Sequence, residues 1–274
     1  MARHDTRDAP GPGNGRPTDS GALPRGLQLL TLIMEAGRPL ALAEVADAAQ
    51  LASSTTHRLL QSLTALGWLY RDGTGRYGIA PRAALPLPLD HPLNLLRRDG
   101  IDLLRNLQAQ FSATALLSVF MGEQRVVIDA VSGPHHIAPY IATQISAPHH
   151  CSVSGKLLLS GLSDADRDRL LGPAPYAART PRTLTTRAQL FAELKVVART
   201  GIATNLEENL AGISAQGMRL RTPSGRTVGA LTLTGQSKHF SATAMAAMRE
   251  QLTLSAQLLD TSLSMRAVAR FLNI

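Results

Sequence analysis

Between residues 24 and 79 the sequence carries three apolar stripes at helical spacing, followed at once by two short strand-like runs. The first stripe ends at Gly37 and the third at Gly67, because glycine commonly terminates a helix. The strand-like runs flank a glycine-rich turn, as in a short hairpin. Three short helices followed by a hairpin predict a winged helix-turn-helix over residues 23–83, in which the third helix reads DNA.

The third predicted helix begins with a polar run, and Ser53 or Ser54 is expected to cap it. Its first turns offer hydroxyls, an imidazole and a guanidinium where a recognition helix meets the major groove, and its backbone amides can hold a phosphate. An ordinary capped surface helix would look similar, and the hairpin behind this run is what favours DNA reading. The candidate DNA-binding residues are Arg25 just before the first helix, Ser53, Ser54, Thr55, Thr56, His57 and Arg58 in the third helix, and Arg71 and Arg76 at the hairpin tip. For the two arginines at the hairpin tip, the alternative is that they are solvated surface residues without a DNA contact.

The net charge of +8 does not by itself locate a nucleic-acid site. Residues 1–90 hold nine arginines against eight acids, whereas residues 91–274 hold nineteen basic residues against twelve acids. Most of the excess charge therefore lies outside the predicted winged helix-turn-helix. The DNA interpretation depends on local arrangement rather than on total charge.

The rest of the chain changes character twice. Residues 1–22 are rich in proline and glycine and are predicted to be a disordered tail, with no apolar stretch that could act as a signal peptide or membrane span. Residues 84–112 are predicted to be a proline-rich linker followed by a linker helix. Residues 113–274 then alternate strand-like and helical runs and end in one long helix over 242–271. This order predicts an α+β chain whose second domain is an antiparallel sheet with flanking helices.

Cys151 is the only cysteine, which excludes an internal disulfide framework and a four-cysteine zinc site and fits a reducing, cytoplasmic location. Several histidines lie near it in sequence, and imidazole with thiolate would suit a transition metal. Adjacent histidines on a strand point to opposite faces, so each pair offers one ligand, and no metal site is expected. The histidines in question are His91, His135, His136, His149 and His150.

Catalysis is not expected either. The stretch from Ser152 to Lys156 lacks a Ser-x-x-Lys spacing, because Val153 occupies the position that a serine would need. The sequence contains no nucleophile elbow of the Gly-x-Ser-x-Gly type and no glycine-rich phosphate loop. No catalytic residue and no cofactor is therefore assigned.

The order of motifs along the chain resembles that of the IclR family of bacterial regulators. The resemblance covers about residues 23–272, and several weak motifs in the right order are more specific than any one of them. The motifs are Arg25-Gly26-Leu27, Leu42–Ala46, Ser54–Leu60 and Gly75-Arg76-Tyr77 in the first domain, and Ser154-Gly155-Lys156, Gly201-Ile202-Ala203, Glu207-Glu208-Asn209, Gly212-Ile213 and Gly229–Gly235 in the second.

The resemblance implies a GAF-like effector-binding domain, dimers or dimers of dimers, and a small organic effector held between the Ser-Gly-Lys loop and the sheet. Carried over by position, the effector-binding residues are Val153, Ser154, Gly155, Asn205, Ala215, Thr232 and Thr234. Asn205 and Ala215 stand where acid-sensing members carry an aspartate and a cysteine. The predicted pocket is therefore less charged and roomier, suited to a larger or aromatic carboxylate held by neutral hydrogen bonds.

Several of these residues could instead have purely structural roles that involve no ligand. The two threonines could fill a core or face solvent, and Ser154 could be only a helix cap. Lys156 is expected to form an ion pair near the surface, and Glu207 and Glu208 to be a solvated pair or part of an interface.

Taken together, these features predict a ligand-responsive regulator that binds double-stranded operator DNA of two-fold symmetry as a dimer or tetramer, with no membrane association. Two alternatives stay open. In one, the second domain only oligomerises and binds no ligand. In the other, the chain is a metal- or ligand-binding protein without a DNA role.

Overall fold

The computed structural model describes residues 21–84, 87–133 and 147–273, and the chain forms two compact units that meet in sequence at Pro86 and Leu87. Most of the predicted tail, together with His135 and His136, lies outside the described residues. Within the described residues, no helix is long and apolar enough to cross a membrane.

The first unit is a winged helix-turn-helix, as predicted. A left-handed turn at Gln50, with φ of 55°, separates its second and third helices. The strands pair antiparallel, and Leu40 bridges to Tyr77 beside them, which ties the hairpin to the helices. The elements are α1 (Ala22–Ala36), α2 (Leu42–Ala49), α3 (Ser53–Ala65), β1 (Leu69–Arg71), β2 (Tyr77–Ile79) and α4 (Pro81–Ala84).

The core of this unit is made by one apolar side of each helix. Leu29 and Ile33 of α1, Val45 of α2 and Leu60 of α3 are buried against each other and against Tyr77. Burial of side chains of this size contributes about 1.5–3 kcal/mol each. The polar side of α3 is thereby left facing away from the core.

The second unit is an antiparallel five-stranded sheet in the order β4-β3-β7-β6-β5 with helices on both faces, so the predicted α+β class is confirmed. Its elements are α5 (Pro92–Phe111), β3 (Thr114–Met121), β4 (Gln124–Val131), α6 (Val153–Ser160), α7 (Asp164–Leu171), α8 (Arg187–Thr200), β5 (Ile202–Leu206), β6 (Ile213–Arg221), β7 (Thr227–Gln236), α9 (Ala242–Asp260) and α10 (Leu263–Phe271).

Helix α5 differs from the predicted linker. It begins at Pro92, inside the proline-rich stretch, because a proline in the first helical position loses no hydrogen bond there. The ring of His91 accepts the amide of Leu93 and completes the cap. Leu96 and Leu104 are fully buried on the sheet, so the helix belongs to the core of the second unit.

The two faces of the sheet have different coverings. One face carries the main apolar core, to which α5, α9 and α10 contribute. The opposite face carries a smaller cluster that joins α6 and α8 to the sheet through Val153, Leu157 and Val197. The predicted single C-terminal helix is interrupted at Thr261, after which Ser262 caps α10 by accepting the amide of Met265.

Candidate DNA-reading helix and effector-binding face

The N-terminal end of α3 is open. Its N-cap is Ala52, and no side chain caps the helix, so the predicted serine cap is wrong. Ser53 and Ser54 instead occupy the first helical turn and are exposed. The first amides of a helix have no partner within the helix, and together with the helix dipole they attract anions such as phosphate.

The side chains of α3 divide between the surface and the core. Arg58 is exposed, and Thr55 and His57 are half-buried. Thr56 is fully buried, and its hydroxyl donates to the carbonyl of Ala52 at 3.1 Å. Its assignment as a DNA contact is therefore wrong, because this side chain lies on the buried side of α3 together with Leu59 and Leu60.

The wing arginines are both held by contacts inside the first unit. Arg76 lies 2.8 Å from the carboxylate of Glu44, which also binds Arg38. The amide of Ala41 and the guanidinium of Arg38 lower the pKa of Glu44 to about 2, so it stays charged. The guanidinium of Arg71 donates to the carbonyl of Gly75 at 3.3 Å. Both arginines are thus positioned at the wing.

Arg25 lies within the first turn of α1 rather than before the helix, because α1 begins at Ala22. Its side chain is half-buried.

On the second unit, strand register brings the predicted effector residues together. Asn205 pairs with Ala215, and Ala215 pairs with Thr234, so the three lie in one row across the sheet. Thr232 lies in the next row, opposite Gly217. All belong to the face covered by α6, since alternate residues of a strand point to the same side.

The start of α6 packs closely on this face at Gly217. A Cβ atom placed there would lie 2.7 Å from Cγ1 of Val153, 2.8 Å from the hydroxyl of Thr232 and 2.6 Å from the carbonyl oxygen of Leu231. Glycine is therefore required at this point. The structure brings Val153, Ala215 and Thr232 together, with Ser154 and Gly155 in the same helical turn.

The polar groups of this face are engaged to different degrees. The hydroxyl of Thr234 donates to the carbonyl of Ser214 at 3.3 Å, so it has no hydrogen left for an anion. The side-chain oxygen of Asn205 accepts the amide of Glu208 at 2.7 Å. The hydroxyl of Thr232 makes no hydrogen bond within the residues that the structure describes. The side-chain nitrogen of Asn205 and the hydroxyl hydrogen of Ser154 have no acceptor among those residues either, so all three groups remain available as donors.

Arg125 was not predicted as a site residue. It is buried on β4, and its guanidinium donates to the hydroxyls of Ser152 at 2.7 Å and Ser154 at 3.3 Å and to the carbonyl of Ala147. Burial lowers its pKa to about 10, so it remains charged at neutral pH. The available signal was strand alternation, because Arg125 pairs with Phe120 on the covered face.

This cation changes the electrostatics of the face. The predicted pocket was to hold its ligand through neutral hydrogen bonds, whereas a guanidinium contacts Ser154 at the positive end of α6. A carboxylate near this point would meet favourable charge from both.

Lys156 is fully buried, which corrects the expected surface ion pair. Its ammonium donates to Glu193 at 2.6 Å, to Glu208 at 2.7 Å and to the carbonyl of Thr204 at 2.9 Å. The three bonds fix α6 to α8 and to the end of β5. Glu208 is buried as well, so the expected solvated pair with Glu207 is wrong.

Burial raises the pKa of Glu208, and the charge of Lys156 opposes that rise. Its second carboxylate oxygen is buried with no hydrogen-bond partner among the described residues. Nearby, burial raises the pKa of the Cys151 thiol to about 11, and the charge of Glu208 adds to the effect. Cys151 is accordingly an unreactive thiol at neutral pH.

The histidines do not converge on a metal-like arrangement within residues 21–84, 87–133 and 147–273. His91 caps α5, and the ring of His150 lies 3.0 Å from the carbonyl of Ala177. Burial lowers the pKa of both His149 and His150, which keeps them neutral at pH 7.

Two family descriptions match the chain in tandem. Residues 22–73 match the IclR helix-turn-helix domain, and residues 96–261 match the C-terminal domain of the bacterial transcriptional regulator IclR. The two matches fall on the two structural units.

Curated relatives extend over most of the chain. A transcriptional regulator of the helix-turn-helix type from Mycobacterium tuberculosis is 31% identical over 206 residues, which is 72% of this chain and 75% of that protein. The transcriptional repressor IclR of Escherichia coli is 29% identical over 205 residues, or 70% of this chain and 71% of the repressor.

Solved structures show the same fold. IclR of Thermotoga maritima superposes with a TM-score of 0.71 at 21% identity, covering 88% of this chain and 98% of that one. An IclR homologue from Microbacterium hydrocarbonoxydans, crystallised with 4-hydroxybenzoate, gives a TM-score of 0.74 at 20% identity, covering 90% of this chain and all of the other.

Proposed function

The chain belongs to the IclR family of bacterial transcriptional regulators, and from that premise we propose that it binds a two-fold operator through α3 and responds to a small organic anion held between α6 and the sheet. The observation that carries the DNA role is the open end of α3. Exposed Ser53, Ser54 and Arg58 stand beside uncapped amides on a helix whose other side is locked into the core.

A dimer is part of this proposal. One reader helix buries too little surface for tight, specific binding, so two copies on half-sites about one helical turn apart supply the rest. In this arrangement Arg58 and His57 contact base edges or phosphates, while Arg71 and Arg76 contact the backbone beside the wing.

The effector site is proposed for the face where α6 meets β6 and β7. Thr232 offers a free hydroxyl, and Arg125 offers a buried charge next to Ser154. Ala215 and Val153 provide apolar contact. These groups suit a carboxylate attached to an apolar body, and the 4-hydroxybenzoate bound to the Microbacterium homologue has that chemistry.

The DNA role is tested by fluorescence anisotropy with operator DNA at fixed salt. Arg58→Ala should weaken specific binding by about 1–3 kcal/mol while leaving thermal unfolding unchanged. Arg199→Ala, an exposed arginine on α8, is the charge-matched control and should bind normally. Thr56→Val should also bind normally, because that side chain is buried. Unchanged binding by Arg58→Ala would contradict the assignment of α3 as the reader.

The effector role is tested by calorimetry with benzoate, 4-hydroxybenzoate, pyruvate, glyoxylate and neutral benzamide. Aromatic carboxylates should bind, and benzamide should not. Thr232→Val keeps the side-chain shape and should weaken carboxylate binding by about 0.5–1.5 kcal/mol. Thr234→Val should have a smaller effect on carboxylate binding, since the hydroxyl of Thr234 already donates its hydrogen to the carbonyl of Ser214.

Arg125→Gln should abolish the preference for benzoate over benzamide, with Arg125→Lys retaining part of it. Equal binding of benzamide and benzoate by the wild type would contradict an anion site. Failure of every carboxylate to bind would favour a second unit that only oligomerises.

A further inference from the structure

A single carboxylate holds two arginines where the wing meets the start of α2. Glu44 lies in the first turn of α2, and its two oxygens contact Arg38 at 2.9 Å and Arg76 at 2.8 Å. Arg38 lies between α1 and α2, and Arg76 lies directly before β2 of the wing. Neither Arg38 nor Glu44 is among the DNA contacts predicted from the sequence. The cluster brings three separate parts of the first unit together at its surface.

The backbone fixes the position of this carboxylate. One oxygen of Glu44 accepts the amide of Ala41 at 2.7 Å, which caps the start of α2. The preceding residue, Leu40, exchanges two backbone hydrogen bonds with Tyr77, at 2.8 and 2.9 Å. The chain before α2 and the wing are therefore bonded to each other beside Glu44, and Arg76 enters the cluster from a defined direction.

Both guanidiniums keep donors for a further anion. Arg38 is 58% exposed and Arg76 is 43% exposed, so each can also reach a ligand in solution. Of the five N–H groups of a guanidinium, those on Nε and Nη2 of Arg76 and on Nε of Arg38 meet no acceptor among the described residues. Glu44 stays ionised, because the amide of Ala41 and the guanidinium of Arg38 lower its pKa to about 2. The three side chains therefore carry a net charge of +1.

We propose that Arg38 and Arg76 form a clamp for one phosphate of the DNA backbone, and that Glu44 is the positioning residue that holds the two guanidiniums in place. The proposal rests on the proposed function, because it adds a backbone contact beside the reader helix α3. The helix that precedes a reader helix crosses the sugar-phosphate backbone, and α2 has that place in this chain. Planar guanidinium forks match the oxygens of a phosphate, and a net charge of +1 matches one phosphodiester.

A purely structural cross-link is the alternative to a clamp. Exposed ion pairs contribute little to stability, because water solvates both partners. The wing turn is also closed without Glu44, since the carboxylate of Asp72 accepts the amides of Thr74 and Arg76 at 2.9 Å.

The two accounts differ in the sign of one effect. A carboxylate that only braced the fold would repel DNA, so neutralising it would leave DNA affinity unchanged or raise it. A carboxylate that positions two phosphate contacts strengthens DNA binding, so neutralising it would lower the affinity.

The clamp is tested by fluorescence anisotropy of the full chain with a random-sequence duplex and an operator duplex over a range of salt concentrations. Arg38→Ala should weaken binding to both duplexes by the same several-fold factor and should lower the slope of log affinity against log salt by about 1. Arg105→Ala is the matched control, because Arg105 is also exposed and paired with one carboxylate, that of Asp102, but lies on α5 of the second unit. This control should leave affinity and slope unchanged.

The positioning role is tested by Glu44→Gln. The amide oxygen of the glutamine can still accept the amide of Ala41, whereas the charge that holds both arginines is lost. DNA affinity should fall several-fold although a negative charge has been removed. Glu35→Gln is the control, because Glu35 is exposed on α1 and forms no ion pair in the part of the chain that the structure describes; it should bind at least as tightly as wild type. In a chain that already carries Arg38→Ala and Arg76→Ala, Glu44→Gln should no longer weaken binding, a result that a general loss of fold would not give.

Equal or tighter DNA binding by Glu44→Gln would overturn the positioning role, and an unchanged salt slope in Arg38→Ala would overturn the clamp. Thermal unfolding identifies a variant that fails to fold. If Glu44→Gln is such a variant, Arg38→Ala still decides, because Arg38 takes no part in the cap of α2. The proposed function fails in a different way, by wild type binding no sequence more tightly than random duplex, and the random duplex would still report the effect of Arg38→Ala.

Discussion

Replacing Lys156 by Met should destabilise the second unit strongly. The ammonium holds two carboxylates and a carbonyl at 2.6–2.9 Å, and its removal leaves Glu208 buried without a counter-charge. Breaking a buried ion pair from one side costs about 3–5 kcal/mol. Glu193 is 28% exposed and can be solvated by water, so we expect the lower half of that range. For a unit of this size the melting temperature should fall by roughly 6–16 °C.

The loss should depend on pH with a defined sign. Glu208 is an acid whose pKa is raised by burial, and the charge of Lys156 holds that rise in check. An acid of this kind favours folding when protonated, so its contribution is present at low pH and is lost as the pH rises from its ordinary pKa toward the raised one. Without Lys156 the pKa rises further, and the deficit of the variant should be larger at pH 8 than at pH 5.5.

The assay is urea and thermal unfolding of wild type, Lys156→Met, Glu208→Gln and the double variant at both pH values. The double variant should be more stable than Lys156→Met alone, because the neutral amide of a glutamine at position 208 can be buried without the ammonium of Lys156 beside it. A deficit below about 1 kcal/mol at pH 8, or a deficit equal at the two pH values, would refute the reasoning.

Three further outcomes follow from single contacts. Gly217→Ala should destabilise the fold by about 1–3 kcal/mol because its Cβ would overlap the sheet backbone, whereas Gly73→Ala, which meets nothing within 4 Å, should be close to neutral in the same unfolding assay. Cys151 should resist a disulfide reagent at pH 8 in the native protein and react fully after unfolding, and rapid native labelling would contradict its burial. Asn205→Ala should lose about 1 kcal/mol by freeing the amide of Glu208, and Asn205→Asp should restore it because either side chain supplies the oxygen.

The parts of the fold that were predictable are those set by local pattern. The helices of the first unit and the hairpin after Gly67 follow from apolar spacing and turn residues alone. The antiparallel pairing of β6 with β7 likewise follows from two runs around a short turn. In each case the signal and the structure it specifies lie within about twenty residues.

The errors have local and distant causes. Thr56 reads as one more polar residue of an exposed run, although it precedes Leu59 and Leu60 by three and four residues and therefore shares their buried side of α3. The burial of Lys156 depends on Glu193 and Glu208, which are far along the chain. The start of α5 differs from the prediction because proline breaks a helix in its interior but is tolerated at the first helical position, which Pro92 occupies.

The effector-binding residues could be predicted only in part from the sequence. Asn205, Ala215 and Thr234 were placed by resemblance, and the strand register brings them into one row. Arg125 was missed because nothing in its own hairpin shows that the loop from residue 147 and the start of α6 will close over it. Strand alternation places Arg125 on the same face as Phe120, but the burial of its charge follows only from the tertiary structure.

The central claim is that the chain reads a two-fold DNA site with α3. The most direct measurement is selection of tight-binding duplexes from a random library by the full-length protein, followed by sequencing. We expect an inverted repeat whose half-sites are centred about 10 base pairs, or a multiple of that, apart, and Arg58→Ala should lose enrichment at defined positions within each half. Recovery of no common sequence, or of the same inverted repeat by wild type and Arg58→Ala alike, would contradict the account.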